Sequence, residues 1–321
     1  MKNQRFSTPF LAIITCILWA SSFVPTKIGL ENFPPILEIV GYRPLTYAGM
    51  TFLLAGIILI PWANHKHEYW QQVKNNIRII FKIGFFSTTL LYGAYYSGQN
   101  LADASILALI VGCQPLFVFL LAALIVKNEK ITLPKAISLI AAIIGMVVVS
   151  YPSFSNIGTI GLSGALGIIL ILIDCISAAY GNILIYEVNF EKTDIRVLNS
   201  AEMIAGGAML LLLSLVLGFV LPPIPPAPEP QTSKFLVGLG AMVFINFTSM
   251  ILWFKCLARE NTKVSDLNMW KFIIPVVGSL QSWLLLKNDN PTISSVSGLV
   301  IITLALVMFY FVSEPKKNRT M

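Results

Sequence analysis

Four ionisable residues, Arg43, Asp174, Glu202 and Lys271, stand inside long apolar runs of this 321-residue chain. Each costs about 2.5–3.5 kcal/mol at the centre of a membrane helix, so each calls for a partner or a use. Arg43 has Glu38 and Glu31 nearby in sequence and reads first as half of a structural ion pair. Asp174 lies near the middle of its run. A carboxyl group there either carries a coupling proton or hydrogen-bonds a neighbouring helix. Lys271 follows Asn268 by one helical turn, so a cation and an amide donor share a face. Three uses stay open for Lys271: attracting a carboxylate-bearing solute, with Asn268 as a second donor, pairing with Glu202 at similar depth, or snorkelling to the inner surface.

Three stripes of polar and aromatic residues recur at i, i+3, i+4 and i+7. They are Tyr92, Tyr95, Tyr96 and Gln99; Trp19, Ser22, Phe23 and Thr26; and Asn246, Ser249, Met250 and Trp253. One such stripe is ordinary helix packing, in which Ser and Asn hydrogen-bond across a contact. Three of them, with members near mid-membrane, read equally as the wall of a cavity. Aromatic walls with a few amides and hydroxyls suit a small organic solute better than a bare ion.

Catalysis finds little support. No G-x-x-x-x-G-K-[ST] sequence is present to hold a nucleotide, and no TVGYG filter or arginine ladder marks an ion channel. Gly161–Gly164 reads GLSG and resembles the serine motif of intramembrane rhomboid proteases. That chemistry needs a histidine base, and the two histidines, His65 and His67, fall in a loop on the opposite side of the membrane. Ser163 therefore reads as a helix-start residue. Asp174 lacks a G-x-G-D context, and Cys16, Cys113, Cys175 and Cys256 lack C-x-x-C spacing. The reading is thus no catalytic residue, no metal site and no cofactor.

The elements that must position these residues follow from composition. The chain is 56% hydrophobic and 12% charged, against about 25% charged in soluble domains. Ten apolar runs recur, at 10–30, 36–60, 79–98, 104–126, 132–150, 161–186, 197–221, 235–256, 264–286 and 292–312. About 20 residues of helix cross a bilayer, and a helix satisfies its own backbone there. The expected fold is an all-α membrane protein of ten transmembrane helices. The net charge of +7 is spread over connecting loops rather than gathered in a patch, which argues against nucleic acid and for orientation in a lipid bilayer. Most Lys and Arg fall on the side of the N-terminus, so the chain is expected in the plasma (inner) membrane with both termini cytoplasmic. The first run is long enough to be a retained span rather than a signal peptide. The proline-rich stretch from Pro222 to Pro230 reads as a stiff outer spacer.

The stretch 104–135 recurs at 264–295, matching Ser105 with Ser265, Pro115 with Pro275, Lys127 with Lys287, Asn128 with Asn288 and Thr132 with Thr292. It divides the chain into repeats at 1–155 and 156–321. Five spans per repeat is an odd number, so the second copy is inverted, as in transporters that expose a central site alternately to each side. The matched prolines either bend their helices beside a cavity or are tolerated kinks.

WASSFVPTKIGLENFPPI, from Trp19, YRPLTYAGMTFLL, from Tyr42, YYSGQNLADASILALIVGCQPLF, from Tyr95, and the repeat together resemble the EamA-type transporters of the drug/metabolite transporter superfamily. Asn128-Glu129 departs from the Gly-Glu common there at the end of the fourth helix. The resemblance implies an exporter or exchanger of small metabolites such as amino acids. It also implies a central cavity lined by Trp19, Ser22, Tyr92, Tyr95, Gln114, Asn246 and Trp253. Uptake of a vitamin or a nucleotide-derived metabolite is the alternative, and a membrane receptor the third reading. The expected partners are a small-molecule substrate, lipid and, at Asp174, a coupling proton.

Overall fold

The computed structural model describes residues 7–38, 41–63, 68–99, 101, 110–126, 129, 132–154, 161–190, 192–220, 229–259, 262–285 and 291–313. His65, His67, Ser105, the Lys127-Asn128 and Lys287-Asn288 corners, the prolines from Pro222 to Pro228, both termini and the side chain of Gln99 lie outside the described residues. Among the described residues there are helices and no strands. Seven helical stretches among the described residues are long and apolar enough to cross a membrane: Thr8–Glu31, Arg43–Ala63, Ile77–Gly98, Leu162–Tyr186, Ile195–Val220, Thr232–Leu257 and Ile293–Phe311. Gln114–Ile125 and Leu133–Val149 are shorter apolar helices at the fourth and fifth runs, and the ninth run is divided.

In chain order the helices are α1 (Thr8–Ala20), α2 (Phe23–Glu31), α3 (Pro35–Glu38), α4 (Arg43–Ala63), α5 (Tyr69–Asn75), α6 (Ile77–Gly84) and α7 (Leu91–Gln99). Then follow α8 (Gln114–Ile125), α9 (Leu133–Phe154), α10 (Leu162–Tyr186), α11 (Ile195–Val220) and α12 (Thr232–Leu257). The last are α13 (Val264–Met269), α14 (Ile273–Leu285) and α15 (Ile293–Ser313). A π-helical segment, Phe85–Leu90, joins α6 to α7, and a 3₁₀ turn, Trp270–Phe272, joins α13 to α14.

The breaks have a common cause. Proline has no N–H for the carbonyl four residues earlier, and its ring crowds that carbonyl. Pro25 would face Ser21, Pro115 would face Val111 and Pro275 would face Lys271. The chain breaks at Ser21–Ser22 before α2, turns at Cys113 before α8, and tightens to 3₁₀ at Trp270–Phe272 before α14. Both matched prolines therefore sit just past an interruption. At the first break the hydroxyls of Ser21 and Ser22 donate to Ile17 O (2.9 Å) and Trp19 O (2.6 Å). In the π-helical segment Thr89 Oγ1 lies 3.3 Å from Gly84 O and 3.2 Å from Gly206 O, tying the widened turn to α11.

Around these interrupted helices lie two close-packed pairs, α4 along α11 and α9 along α15. Small residues let the backbones meet. A Cβ on Gly207 would come within 2.6 Å of Leu53 N and 2.9 Å of Gly49 O; one on Gly298 would come within 2.6 Å of Gly145 O. Elsewhere α12 packs on α1 and α2, α10 on α7 and α8, α14 on α1, and α13 on α8. Arg43 pairs with Glu38 as expected, while Glu31 pairs with Lys27 instead. Cys16, Cys175 and Cys256 are buried and, like Cys113, are free thiols.

Gly207→Val and Gly298→Val should each lower the stability of the detergent-solubilised protein by about 1–3 kcal/mol, the range for overpacking. Gly240→Val, whose Cβ meets nothing within 4 Å, should leave it unchanged. Thermal unfolding midpoints check this, and three equal midpoints would show that the seams tolerate side chains.

Candidate functional site

A cavity of about 520 Å³ lies where the interrupted helices meet. The α1–α2 break supplies Trp19 and Ser22, α7 supplies Tyr92 and Tyr95, and the start of α8 supplies Gln114. Asp174 comes from α10, Asn246 and Trp253 from α12, and Lys271 from the 3₁₀ turn. Nine of the expected residues thus meet in one wall. At its mouth the cavity reaches the exposed Lys27–Glu31 pair, whose charges lie 3.8 Å apart.

Lys271 is the centre of the polar wall. Its Nζ donates to Gln114 Oε1 at 2.9 Å and stands 5.5 Å and 5.3 Å from the ring centroids of Trp19 and Trp253. The two indoles are 4.9 Å apart and tilted by 56°. Aromatic faces stabilise an ammonium group and cannot neutralise it. Trp253 is buried, and its Nε1–H donates to Asn182 Oδ1 at 2.7 Å. Across the cavity Tyr92 packs on Phe52 and Tyr96, and Tyr95 packs edge-on to Tyr96. Asn246 is turned toward α4, donating to Thr51 Oγ1 at 3.1 Å.

Two expectations are corrected. Lys271 does not pair with Glu202: it meets Gln114, whereas Glu202 is fully buried on α11 and accepts from Thr88 Oγ1 at 3.5 Å. Similar depth in the membrane did not bring the two helices' faces together. Asn268 is not a neighbouring donor at the cavity, because its amide donates to Val264 O (2.9 Å) and lies 3.5 Å from Asn182 Oδ1, behind the wall.

Residues 7–151 match the EamA-like transporter family. The protein is therefore a multi-pass membrane transporter. An uncharacterized transporter of Archaeoglobus fulgidus is 25% identical over 305 residues, covering 92% of this chain and 96% of that protein. The S-adenosylmethionine/S-adenosylhomocysteine transporter of Chlamydia trachomatis is 24% identical over 290 residues, covering 88% and 83%. A solved crystal structure shares the fold with a TM-score of 0.73 over 97% of this chain and 100% of that one, at 14% identity.

Contacts from distant parts of the chain gather where α13 begins, outside the cavity wall. Glu129 accepts from the backbone N–H groups of Val264 and Ser265, capping α13 from another part of the chain. Lys135 pairs with Asp266 on the same helix start, and Arg259 donates to Thr8 Oγ1 at 2.8 Å. Sequence reasoning missed Asn182 and Ser87, which also line the cavity. Asn182 had a signal: it stands two helical turns from Asp174 on one face of α10. Ser87 had none, because the π-helical segment shifts its face.

Asn182→Leu leaves the buried indole N–H of Trp253 without its acceptor. It should cost about 1–3 kcal/mol of stability. Thermal unfolding beside Asn182→Asp, which keeps an acceptor, checks this; a Leu variant as stable as wild type would discount the bond.

Proposed function

We propose that this EamA-like protein is a secondary transporter, an exporter or exchanger, that moves small metabolites such as amino acids across the plasma membrane by alternating access. The observation that carries this reading is the solute-sized cavity in mid-bundle, with Lys271, Gln114 and two indoles at the points where α1, α8 and α13 are interrupted. Interrupted helices free polar groups only where a cavity can use them.

Helix pairing supports two inverted repeats, 1–155 and 156–321. The packing of α12 on α1 has its counterpart in that of α7 on α10, and α8 on α10 corresponds to α14 on α1. Two such halves can exchange roles, which opens the site to each side in turn. With both termini cytoplasmic, as the Lys and Arg distribution favours, the cavity opens outward. The Glu129 and Lys135–Asp266 ties then form the inner closure. Asp174 is the group in the wall that would take up a coupling proton. The alternative, a carrier of a nucleotide-derived metabolite, draws support from the Chlamydia trachomatis relative, whose two named solutes carry an adenosine group and an amino-acid end.

Purified protein in proteoliposomes should give saturable flux of particular members of a panel containing the twenty standard amino acids and S-adenosylmethionine. Flux of none of them, nor of any solute in a whole metabolite extract, would overturn the transport reading. Glu129→Ala removes the acceptor for two backbone N–H groups and should loosen the inner closure. In a background with the four native cysteines replaced by Ser, Ser265→Cys should then react several-fold faster with N-ethylmaleimide. An unchanged rate would mean that Glu129 does not hold this end closed.

A further inference from the structure

Two opposite charges in the cavity wall do not satisfy each other. An ammonium group has three N–H donors, and Lys271 uses one, on Gln114 Oε1. The indole faces of Trp19 and Trp253 also stand against it and take no conventional hydrogen bond, and Cys16, Asp174 and Cys175 lie near enough to act on its charge. Asp174 is 1% exposed, its Oδ1 has no hydrogen-bond partner, and its Oδ2 has only the Cys175 thiol at 4.0 Å. Ser87, in the same wall, also has a hydroxyl without a partner. Lys271 and Asp174 form no ion pair with each other among the described residues, being held on the 3₁₀ turn and on α10. The charged rim residues Lys27 and Glu31 pair with one another in solvent and leave the inner wall to Lys271 and Asp174.

A buried charge is costly unless something of opposite sign or a hydrogen bond meets it. An anionic solute at Lys271 would leave Asp174 unmet and repelling. A cationic solute at Asp174 would do the same to Lys271. A neutral solute would leave both. A zwitterion offers each of them a group of opposite sign.

We propose that the cavity selects solutes with a zwitterionic amino-acid head, the carboxylate received by Lys271 and Gln114 and the ammonium group by Asp174 and Ser87. Resting on the transport reading, this assignment gives its substrate class and covers both of its versions, because a free amino acid and an S-adenosylmethionine-like solute carry the same head. The aromatic residues Tyr92 and Tyr95 then face whatever the head carries.

The test uses the full chain in detergent, with ligand-induced shifts of thermal unfolding, and in proteoliposomes. The probes are the twenty standard amino acids and S-adenosylmethionine, followed by the des-amino acid and the amide of whichever binds most tightly. Both analogues should bind more weakly by about 10-fold or more, because each leaves one buried charge unmet. Asp174→Asn should remove the preference over the des-amino acid while keeping that over the amide, and Lys271→Gln should do the reverse. Tightest binding by a small amino acid, or by S-adenosylmethionine, tells the two sources apart and supports the head assignment in either case. Equal binding of zwitterion and des-amino acid by wild type overturns it, and this arm needs no variant to fold. An Asp174→Asn protein that loses dependence on a pH gradient but keeps the preference for the ammonium group assigns Asp174 to a proton alone and also overturns it. Flux of other solutes with no binding of the panel overturns the zwitterion and leaves transport standing, whereas no flux of any solute removes both.

Discussion

A backbone that crosses lipid must satisfy its own hydrogen bonds, and the rest of this structure follows from where it does not. Continuous helices such as α11 and α12 meet the requirement alone. The chain is interrupted at Ser21–Ser22, Cys113 and Trp270–Phe272, each time just ahead of a proline, and these places converge. The freed polar groups need company, so the cavity and the breaks coincide. Lys271 is carried on one break and reaches Gln114 at the start of the helix after another. One hydrogen bond therefore ties two interruptions together.

The frame around them is of another kind. The α4–α11 and α9–α15 seams bring glycine against backbone, with no room for a side chain on Gly207 or Gly298. Such contacts gain from close packing and lose steeply when either surface shifts. The helices between these seams meet through bulkier and polar side chains: Trp253 with Asn182, Trp19 with Trp253, and Glu129 with the start of α13. Charge-assisted caps and hydrogen bonds can be exchanged for water at one end of a bundle at modest net cost. A rigid frame holding exchangeable contacts fits the alternating access proposed above.

The charged groups of the wall come from separate elements. Trp19 and Trp253 flank Lys271 and keep it from folding back on apolar surface, while Asp174 is held apart on α10. Glu202, also deep in the bundle, sits outside the cavity wall beside the π-helical segment, where Thr88 meets one of its oxygens. Depth alone does not make a buried carboxyl group part of the site. What matters is the face it occupies.

Much of this was legible in the sequence. Long apolar runs dictate helices, since no other open structure spares lipid an unpaired backbone, and the i, i+3, i+4, i+7 stripes on the first, third and eighth runs put Trp19, Tyr92, Tyr95 and Trp253 on faces that do line the cavity. Prolines at 115 and 275 marked the interruptions, because a missing N–H acts locally. Periodicity gives the faces within one helix; it does not give the rotation of one helix against another. Asn268 was expected beside Lys271 in the cavity, yet the tightened turn that follows it leaves it behind the wall, bonded to Val264 and near Asn182. The partner of Lys271 could not be read either: depth pointed to Glu202, and only packing turned Gln114 toward it. The sequence by itself determined the helices, their breaks and the residue types available to a solute. The tertiary structure alone decided which charges were left unpaired, because that depends on how helices far apart in the chain rotate against each other.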